Sequence, residues 1–170
     1  MKYFLIILIV LTFIYGYKQI NYEPITEKLE RAAELRLERE RVAANKREFD
    51  NRVQGVKKFL VHYNSPMADS AESFVSCAER HRINYKLLVA ISGKESTFGR
   101  YQRGFNSFGW DIHRGRTFNS FSDAICTVAE GLSKSYDTSS IRKIAYRYAP
   151  DFENNTEKWI KDVEYFMSQL

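Results

Sequence analysis

The stretch that decides the fold is Ala90-Ile91-Ser92-Gly93-Lys94-Glu95-Ser96-Thr97-Phe98-Gly99. It ends a mostly apolar helix that the sequence pattern predicts over residues 85–98. Asn84 suits the N-cap of this helix because its side chain can accept a backbone N–H bond, and Gly99 suits the C-cap. We expect the surrounding domain to be mainly α-helical.

Glu95 is the residue of this helix that points to chemistry. Leu88, Ile91 and Glu95 are spaced i, i+3 and i+7, so Glu95 continues the stripe that faces the core. Lys94 is expected on the solvent face instead. A carboxyl group at the inner end of an apolar stripe is partly desolvated, which raises its pKa. Such a group can act as a general acid near neutral pH.

A loop or small hairpin is predicted directly after the helix, because residues 100–118 are polar, aromatic and contain glycine. Arg100 and Arg103 lie at its start. They offer a plainer alternative, in which Glu95 is a structural residue at a helix end and forms an ion pair with one of these arginines.

Other helices are predicted in the same domain from apolar periodicity and capping residues. They cover residues 70–82, a segment from Ser120 or Ser122 to residue 135, a segment from Ser139 or Ser140 to Pro150, and a last helix capped by Thr156. The helix-breaking sequence Asn64-Ser65-Pro66 marks the start of the domain, which we place at residues 63–170.

The N-terminal segment, residues 1–22, is strongly apolar. Residues 3–17 form an apolar run between Lys2 and Lys18. Fifteen residues fall short of the roughly 20 that span a bilayer, although Ile20 and the flanking tyrosines extend the run. We expect a retained signal anchor. The alternative is a cleaved signal peptide, for which Ile14-Tyr15-Gly16 is a poor cleavage site. Either way the domain would be extracytoplasmic, membrane-anchored or secreted.

Residues 23–62 predict a long charged helical spacer that starts near Pro24. Leu35, Val42, Phe49 and Val56 recur every seven residues, but the partner positions are mostly polar, so any coiled coil is weak. We therefore predict at most weak self-association through residues 25–60. A solvated spacer helix is the plainer reading, and at 1.5 Å per residue it would hold a domain about 50 Å from a membrane.

The charge distribution gives little support to nucleic-acid binding. The chain of 170 residues has a net charge of +5. Residues 1–22 carry +2, residues 23–60 carry +2, and residues 61–170 carry only +1. A nucleic-acid-binding module concentrates positive charge on its folded part, and here the folded part is nearly neutral.

No metal or organic cofactor is predicted. The two cysteines, Cys77 and Cys126, form no CxxC motif and join no histidine cluster, so a structural zinc is unsupported. His62, His81 and His113 have no serine or cysteine partner that would suggest a hydrolytic triad. In an oxidising compartment the cysteines could form a disulfide, and otherwise they are buried core residues.

Several motifs carry a resemblance to a known superfamily. The first is Lys94-Glu95-Ser96-Thr97-Phe98-Gly99, the second is Asn106-Ser107-Phe108-Gly109-Trp110, and the third spans residues 117–125. They resemble, in turn, the Glu-Ser-x-Phe helix end, the Asn-x-Phe-Gly turn and the segment before the next helix in lysozyme-like peptidoglycan-cleaving proteins. That group includes soluble lytic transglycosylases and endo-β-N-acetylglucosaminidases. Residues 145–150 are loosely similar to the Ala-Tyr-Asn-Ala-Gly-Pro stretch of transglycosylases. The resemblance covers residues 65–170.

The resemblance implies a lysozyme-like fold and a role for Glu95 as the acid that protonates the leaving glycosidic oxygen. The substrate-binding residues that it implies are Ser96, Asn106, Phe108, Trp110, Tyr146 and Tyr148. The plainer alternative for Phe108 is a core anchor, and for the two tyrosines it is helix packing.

A second carboxylate is needed only if the reaction is a hydrolysis with two acidic residues. Asp111 is the best candidate, and Asp123 and Asp151 are the others. Asp123 is better explained as a charge at a helix N-terminus. In a lytic transglycosylase, the hydroxyl and N-acetyl groups of the sugar would complete the reaction, so Glu95 alone would suffice.

The sequence therefore predicts a glycosidase or lytic transglycosylase that cleaves the glycan strands of peptidoglycan, with Glu95 as general acid. The alternative is a membrane-anchored cell-wall-binding or assembly scaffold that has a lysozyme-like domain without activity.

Overall fold

The order of helices along the chain follows the predicted pattern. A computed structural model describes residues 2–21, 24–150 and 155–170. The helices in these ranges are α1 Lys2–Asn21, α2 Ile25–His62, α3 Ala71–His81, α4 Tyr85–Ser96, α5 Phe121–Ser135, α6 Ile141–Tyr148 and α7 Asn155–Ser168. Short 3-10 helices lie at Ala68–Ser70 and Ile112–Arg114. The described residues form no strand beyond one isolated bridge, so the prediction of a mainly α-helical protein is confirmed.

Three of the predicted helix caps are present. The side chains of Asn84, Ser120 and Ser140 each accept a bond from a backbone N–H in the first turn, at 3.0, 3.1 and 3.2 Å. The predicted cap of the last helix is wrong. Thr156 lies inside α7, and its hydroxyl donates to the carbonyl of Ala149 at 2.8 Å. These bonds satisfy backbone groups that a helix end leaves without partners.

The chain divides into two compact units, residues 1–46 and residues 47–170. In the first unit the apolar side chains of residues 3–17 in α1 and of the first part of α2 are exposed, among them Phe13, Leu35 and Val42. Within the described parts of the chain, no helix combines the length and the apolar character needed to cross a bilayer, which gives no support to the predicted anchor. Self-association through residues 25–60 stays a prediction.

The second unit starts earlier than the predicted boundary at residue 63, because the end of α2 packs into its core. Val56, Phe59 and Leu60 are buried, and the Phe59 ring contacts the Phe98 ring edge-on at 5.3 Å between centroids. The heptad position Val56 is therefore a core residue of the second unit rather than part of a coiled-coil seam.

The centre of the second unit is α4, which packs against α7, α3 and α5. Nearly all of α4 is buried, from Leu87 to Gly93, which is typical of a helix covered on every side. Lys94, expected on the solvent face, is instead half-buried and forms an ion pair with Asp162 of α7 at 2.7 Å. A disulfide joins α3 to α5. It links Cys77 and Cys126.

The end of α4 differs from the prediction. The helix stops at Ser96, and Thr97 rather than Gly99 is its left-handed C-cap, with φ of 51°. The N–H of Thr97 bonds to the carbonyl of Gly93, and the N–H of Phe98 bonds to the carbonyl of Ser92, so both carbonyls at the helix end have partners. A Cβ on Gly93 would lie 2.4 Å from the Phe98 ring. The glycine therefore leaves space for the ring that closes the helix end.

Candidate functional site

The carboxyl group of Glu95 lies at the C-terminal end of α4, between α7 and the turn that follows. The indole N–H of Trp159 in α7 donates to Glu95 Oε1 at 2.7 Å. Glu95 Oε2 is 3.5 Å from the position that a Cβ would take on Gly109. Among the described residues Glu95 forms no ion pair, so the alternative of a structural pair with Arg100 or Arg103 is absent here.

The surroundings of Glu95 favour its neutral form. Burial of the carboxyl group raises its pKa, while the Trp159 hydrogen bond and the charge of Lys94 act in the opposite direction without cancelling the rise. The residue as a whole is nevertheless solvent-exposed. The two observations agree if the side chain is open to solvent on one side only. Protein atoms then surround most of the carboxyl group, while another part of the side chain stays exposed.

The Trp159 hydrogen bond also favours one position for the acidic proton. The carbonyl-type oxygen of a neutral carboxyl group is its stronger acceptor, so the bond favours that role for Oε1. This arrangement leaves the proton on Oε2, the oxygen on the side of Gly109. Trp159 thus favours the orientation in which the acidic proton faces the turn.

The turn at residues 105–110 is held by buried polar side chains. Asn106 accepts the N–H of Trp110 at 3.0 Å and donates to the carbonyls of Trp110 and Arg116 at 2.9 and 3.0 Å. The Ser96 hydroxyl donates to the carbonyl of Ser107 at 2.7 Å, which links the end of α4 to the turn. Both side chains are buried, so they position the loop rather than face a ligand.

An aromatic cluster stands beside the acid. The ring of Tyr148 lies 5.5 Å from that of Trp159, 6.0 Å from that of Tyr136 and 6.1 Å from that of Trp110, between centroids. The Tyr148 hydroxyl donates to the carbonyl of Phe108 at 2.6 Å. Burial and the nearby Glu95 raise the pKa of Tyr148, so its hydroxyl remains a donor across the physiological range. Tyr148 therefore fixes the turn against α6.

A cleft of about 430 Å³ opens next to this cluster. Its wall consists of Gly109, Trp110, Asp111, His113, Arg114, Ser135, Tyr136, Arg147 and Tyr148. Glu95 is not itself part of the wall, but its carboxyl group is near two wall residues. Its Oε2 lies 3.5 Å from the position of a Cβ on Gly109, and its charge raises the pKa of Tyr148. The cleft combines aromatic faces, which suit sugar rings, with charged and polar groups.

The wall depends on a glycine in α5. A Cβ on Gly131 would lie 2.3 Å from the Trp110 ring, so the indole packs directly against the helix backbone. Trp110 is half-buried in this position and presents the rest of its ring to the cleft. Gly131 therefore allows the close packing that places Trp110 in the wall.

The structure brings only some of the predicted site residues to the cleft. Trp110, Asp111 and Tyr148 line it. Ser96, Asn106 and Phe108 are buried and do not line it, and Tyr146 is 59% exposed elsewhere on α6. Asp123 lies in the first turn of α5, where its carboxylate accepts the N–H of Asn119 at 3.1 Å, as expected for a helix-end charge. Asp151 lies outside the described residues.

Sequence reasoning missed the residues that contact the acid from distant parts of the chain. Trp159 lies 64 positions from Glu95 along the chain, and the pattern of the last helix does not indicate a bond between them. Tyr136 lines the cleft but belongs to none of the motifs, and Arg147 lines it as a residue of the 145–150 stretch that the motif did not single out. The one available signal was that a buried tryptophan usually finds a partner for its N–H.

A metal site is not formed by the residues that the structure describes. Nowhere in residues 2–21, 24–150 and 155–170 do three or more histidine, cysteine, aspartate or glutamate side chains gather closely enough to hold an ion.

No protein-family model, curated protein or solved structure matches this chain.

Proposed function

We propose that the protein cleaves the glycan strands of bacterial peptidoglycan, with Glu95 as the general acid. One observation carries the proposal. A carboxyl group with a raised pKa and no ion pair within the described residues adjoins the wall of an aromatic cleft. The motif resemblance around Glu95 supplies the substrate class.

The chemistry of the first step follows from the position of the proton. Protonation of the glycosidic oxygen by Glu95 Oε2 would let the C–O bond break while the sugar keeps positive charge at its anomeric carbon. Trp159 would then stabilise the carboxylate that forms on Glu95, because its N–H already points at Oε1. Trp110 offers a ring face for stacking on a saccharide.

The second step has two routes. In a hydrolysis, Asp111, which is exposed in the wall of the cleft, would act as the second carboxylate and activate water. In lytic transglycosylation, a hydroxyl of the sugar attacks its own anomeric carbon and gives an anhydro product. Mass spectrometry separates the routes, because an anhydro end is one water lighter than a reducing end.

We also propose that the domain works outside the cytoplasm, held at a membrane by α1 or secreted. A disulfide between Cys77 and Cys126 is typical of oxidising compartments. The apolar side chains of residues 3–17 in α1 are exposed, and exposed apolar surfaces of this kind favour contact with a membrane or a partner.

The decisive experiment compares digestion of purified sacculi by the wild type, Glu95→Gln and Glu130→Gln. Glu130 is a partly exposed glutamate of α5 that pairs with Lys134, so its variant makes the same chemical change away from the cleft. We expect release of soluble muropeptides by the wild type and Glu130→Gln only, with similar melting temperatures for all three. Unchanged release by Glu95→Gln would remove Glu95 from its role. No release by the wild type from several wall types would favour the scaffold function.

A further inference from the structure

The polar part of the cleft wall carries a net positive charge that has no role in proton donation by Glu95. Two arginines, Arg114 and Arg147, line it, and Asp111 is the one carboxylate among the wall residues. This leaves the wall with a net positive charge when histidine is neutral. A positive surface inside a concave site attracts anions more strongly than the same charges on a convex surface.

Arg147 is held in place by the protein. One of its amino groups donates to the carbonyl of Ser135, and its guanidinium carbon lies 4.7 Å from the centroid of the Tyr136 ring. This leaves further N–H groups of the guanidinium without a described partner. Stacking on an aromatic ring fixes the plane of these donors, which reduces the entropy lost when they bind a ligand.

Arg114 stands at the end of the short helix Ile112–Arg114, between two left-handed residues. Asp111 has φ of 48° and Gly115 has φ of 71°, so the chain turns sharply on both sides of it. Among the described residues its guanidinium forms no ion pair, and the residue is exposed. The turn therefore presents an unpaired cation on the wall that also contains the stacked Arg147.

We infer that this wall binds a carboxylate carried by the glycan strand, with Arg114 and Arg147 as its ligands. The inference rests on the proposed function and specifies its substrate as an anionic glycan rather than a neutral one. Guanidinium groups bind carboxylates through paired N–H donors, and the neighbouring Trp110 would hold the sugar ring that bears the group. Two carboxylate sources exist on such a strand. One is the lactyl group of a muramic sugar that carries no stem peptide, and the other is the stem peptide itself, whose amide bond takes up the lactyl carboxyl group.

The test measures binding by calorimetry to the full-length Glu95→Gln protein, so that turnover does not interfere. The probes are a neutral N-acetylglucosamine oligomer, a peptide-free glycan strand with lactyl carboxylates, and a peptide-bearing strand. We expect Arg114→Gln to weaken binding of carboxylate-bearing probes about tenfold. Binding of the neutral oligomer should not change. Arg80→Gln is the matched control, because Arg80 is an exposed arginine of α3 outside the cleft.

The probes also separate the two sources. A loss with the peptide-free strand identifies the lactyl group, and a loss confined to the peptide-bearing strand identifies the stem peptide. Equal affinity of the starting protein for all three probes, no binding of any probe, or no effect of Arg114→Gln would overturn the inference. Arg147→Lys keeps the charge but removes the paired donors, and it should weaken the same probes without lowering the melting temperature by more than a few degrees.

Failure of the proposed function gives a different result. If the wild type digests no sacculi but the binding still depends on Arg114, the carboxylate site stands and the catalytic proposal fails. If digestion proceeds and the affinity for all probes is independent of Arg114, the catalytic proposal stands and the carboxylate site fails.

Discussion

The packing of Trp110 against Gly131 gives a prediction whose size follows from the geometry. The Cβ added by Gly131→Ala would lie 2.3 Å from one carbon of the indole ring and 2.8 Å from another. Ordinary contacts between carbon atoms begin near 3.5 Å, so the ring must move by about 1 Å. That movement takes Trp110 out of its position in the cleft wall.

Two opposing effects determine the change in stability. Replacing glycine by alanine inside a helix stabilises the helix by about 0.5–1 kcal/mol. Overpacking against a fixed ring typically destabilises a protein by about 1–3 kcal/mol. Gly55→Ala isolates the first effect, because Gly55 lies in α2 and a Cβ there meets nothing within 4 Å. The two variants should therefore differ in free energy of unfolding by about 2 kcal/mol.

Chemical denaturation of both variants measures this difference, and near-UV circular dichroism reports the indole environment. We expect Gly55→Ala to be slightly more stable than the wild type with an unchanged spectrum. Gly131→Ala should be less stable, with an altered tryptophan signal and reduced release of muropeptides. If Gly131→Ala matches Gly55→Ala in stability and in spectrum, the proposed packing of Trp110 is incorrect.

Two further variants test the acid and the disulfide. Trp159→Phe removes the N–H that stabilises the carboxylate, so the pKa of Glu95 should rise further. Activity requires the protonated acid and falls as the pH increases through that pKa. The alkaline limb of the pH–rate profile should therefore move to higher pH. An unmoved limb would show that the hydrogen bond does not tune the acid. The double variant Cys77→Ala/Cys126→Ala opens a loop with a sequence separation of 49 residues. It should lose about 4 kcal/mol of stability in the chain-entropy view. The wild type should lose a similar amount on reduction, whereas an unfolding midpoint insensitive to reductant would argue against the bond.

Local sequence signals were sufficient for the helices and most of their caps. Asn84, Ser120 and Ser140 cap helices because a short polar side chain can reach backbone N–H groups only two or three residues away. Because such signals are local, they gave the wrong C-cap for α4, which was predicted at Gly99 and lies at Thr97. There the packing of Phe98 on Gly93, rather than the presence of Gly99, decides where the helix stops.

The site was only partly predictable, because its geometry depends on contacts between distant residues. The position of Glu95 at a helix end followed from the sequence, but its hydrogen bond to Trp159 did not. Asn106 and Phe108 were expected to contact a ligand, yet their side chains are buried and hold the turn instead. No periodicity distinguishes a residue that lines a cleft from one that supports it from behind.

The pKa of Glu95 is the most direct test of the account. Carbon-13 NMR of the glutamate carboxyl groups, titrated with pH and assigned with Glu95→Gln, measures it without any substrate. Glu130 serves as an internal reference, because its hydrogen bond to Lys134 lowers its pKa. We predict that Glu95 titrates above the ordinary value for a glutamate and Glu130 below it. A Glu95 pKa at or below the ordinary value would contradict a neutral acid at the cleft.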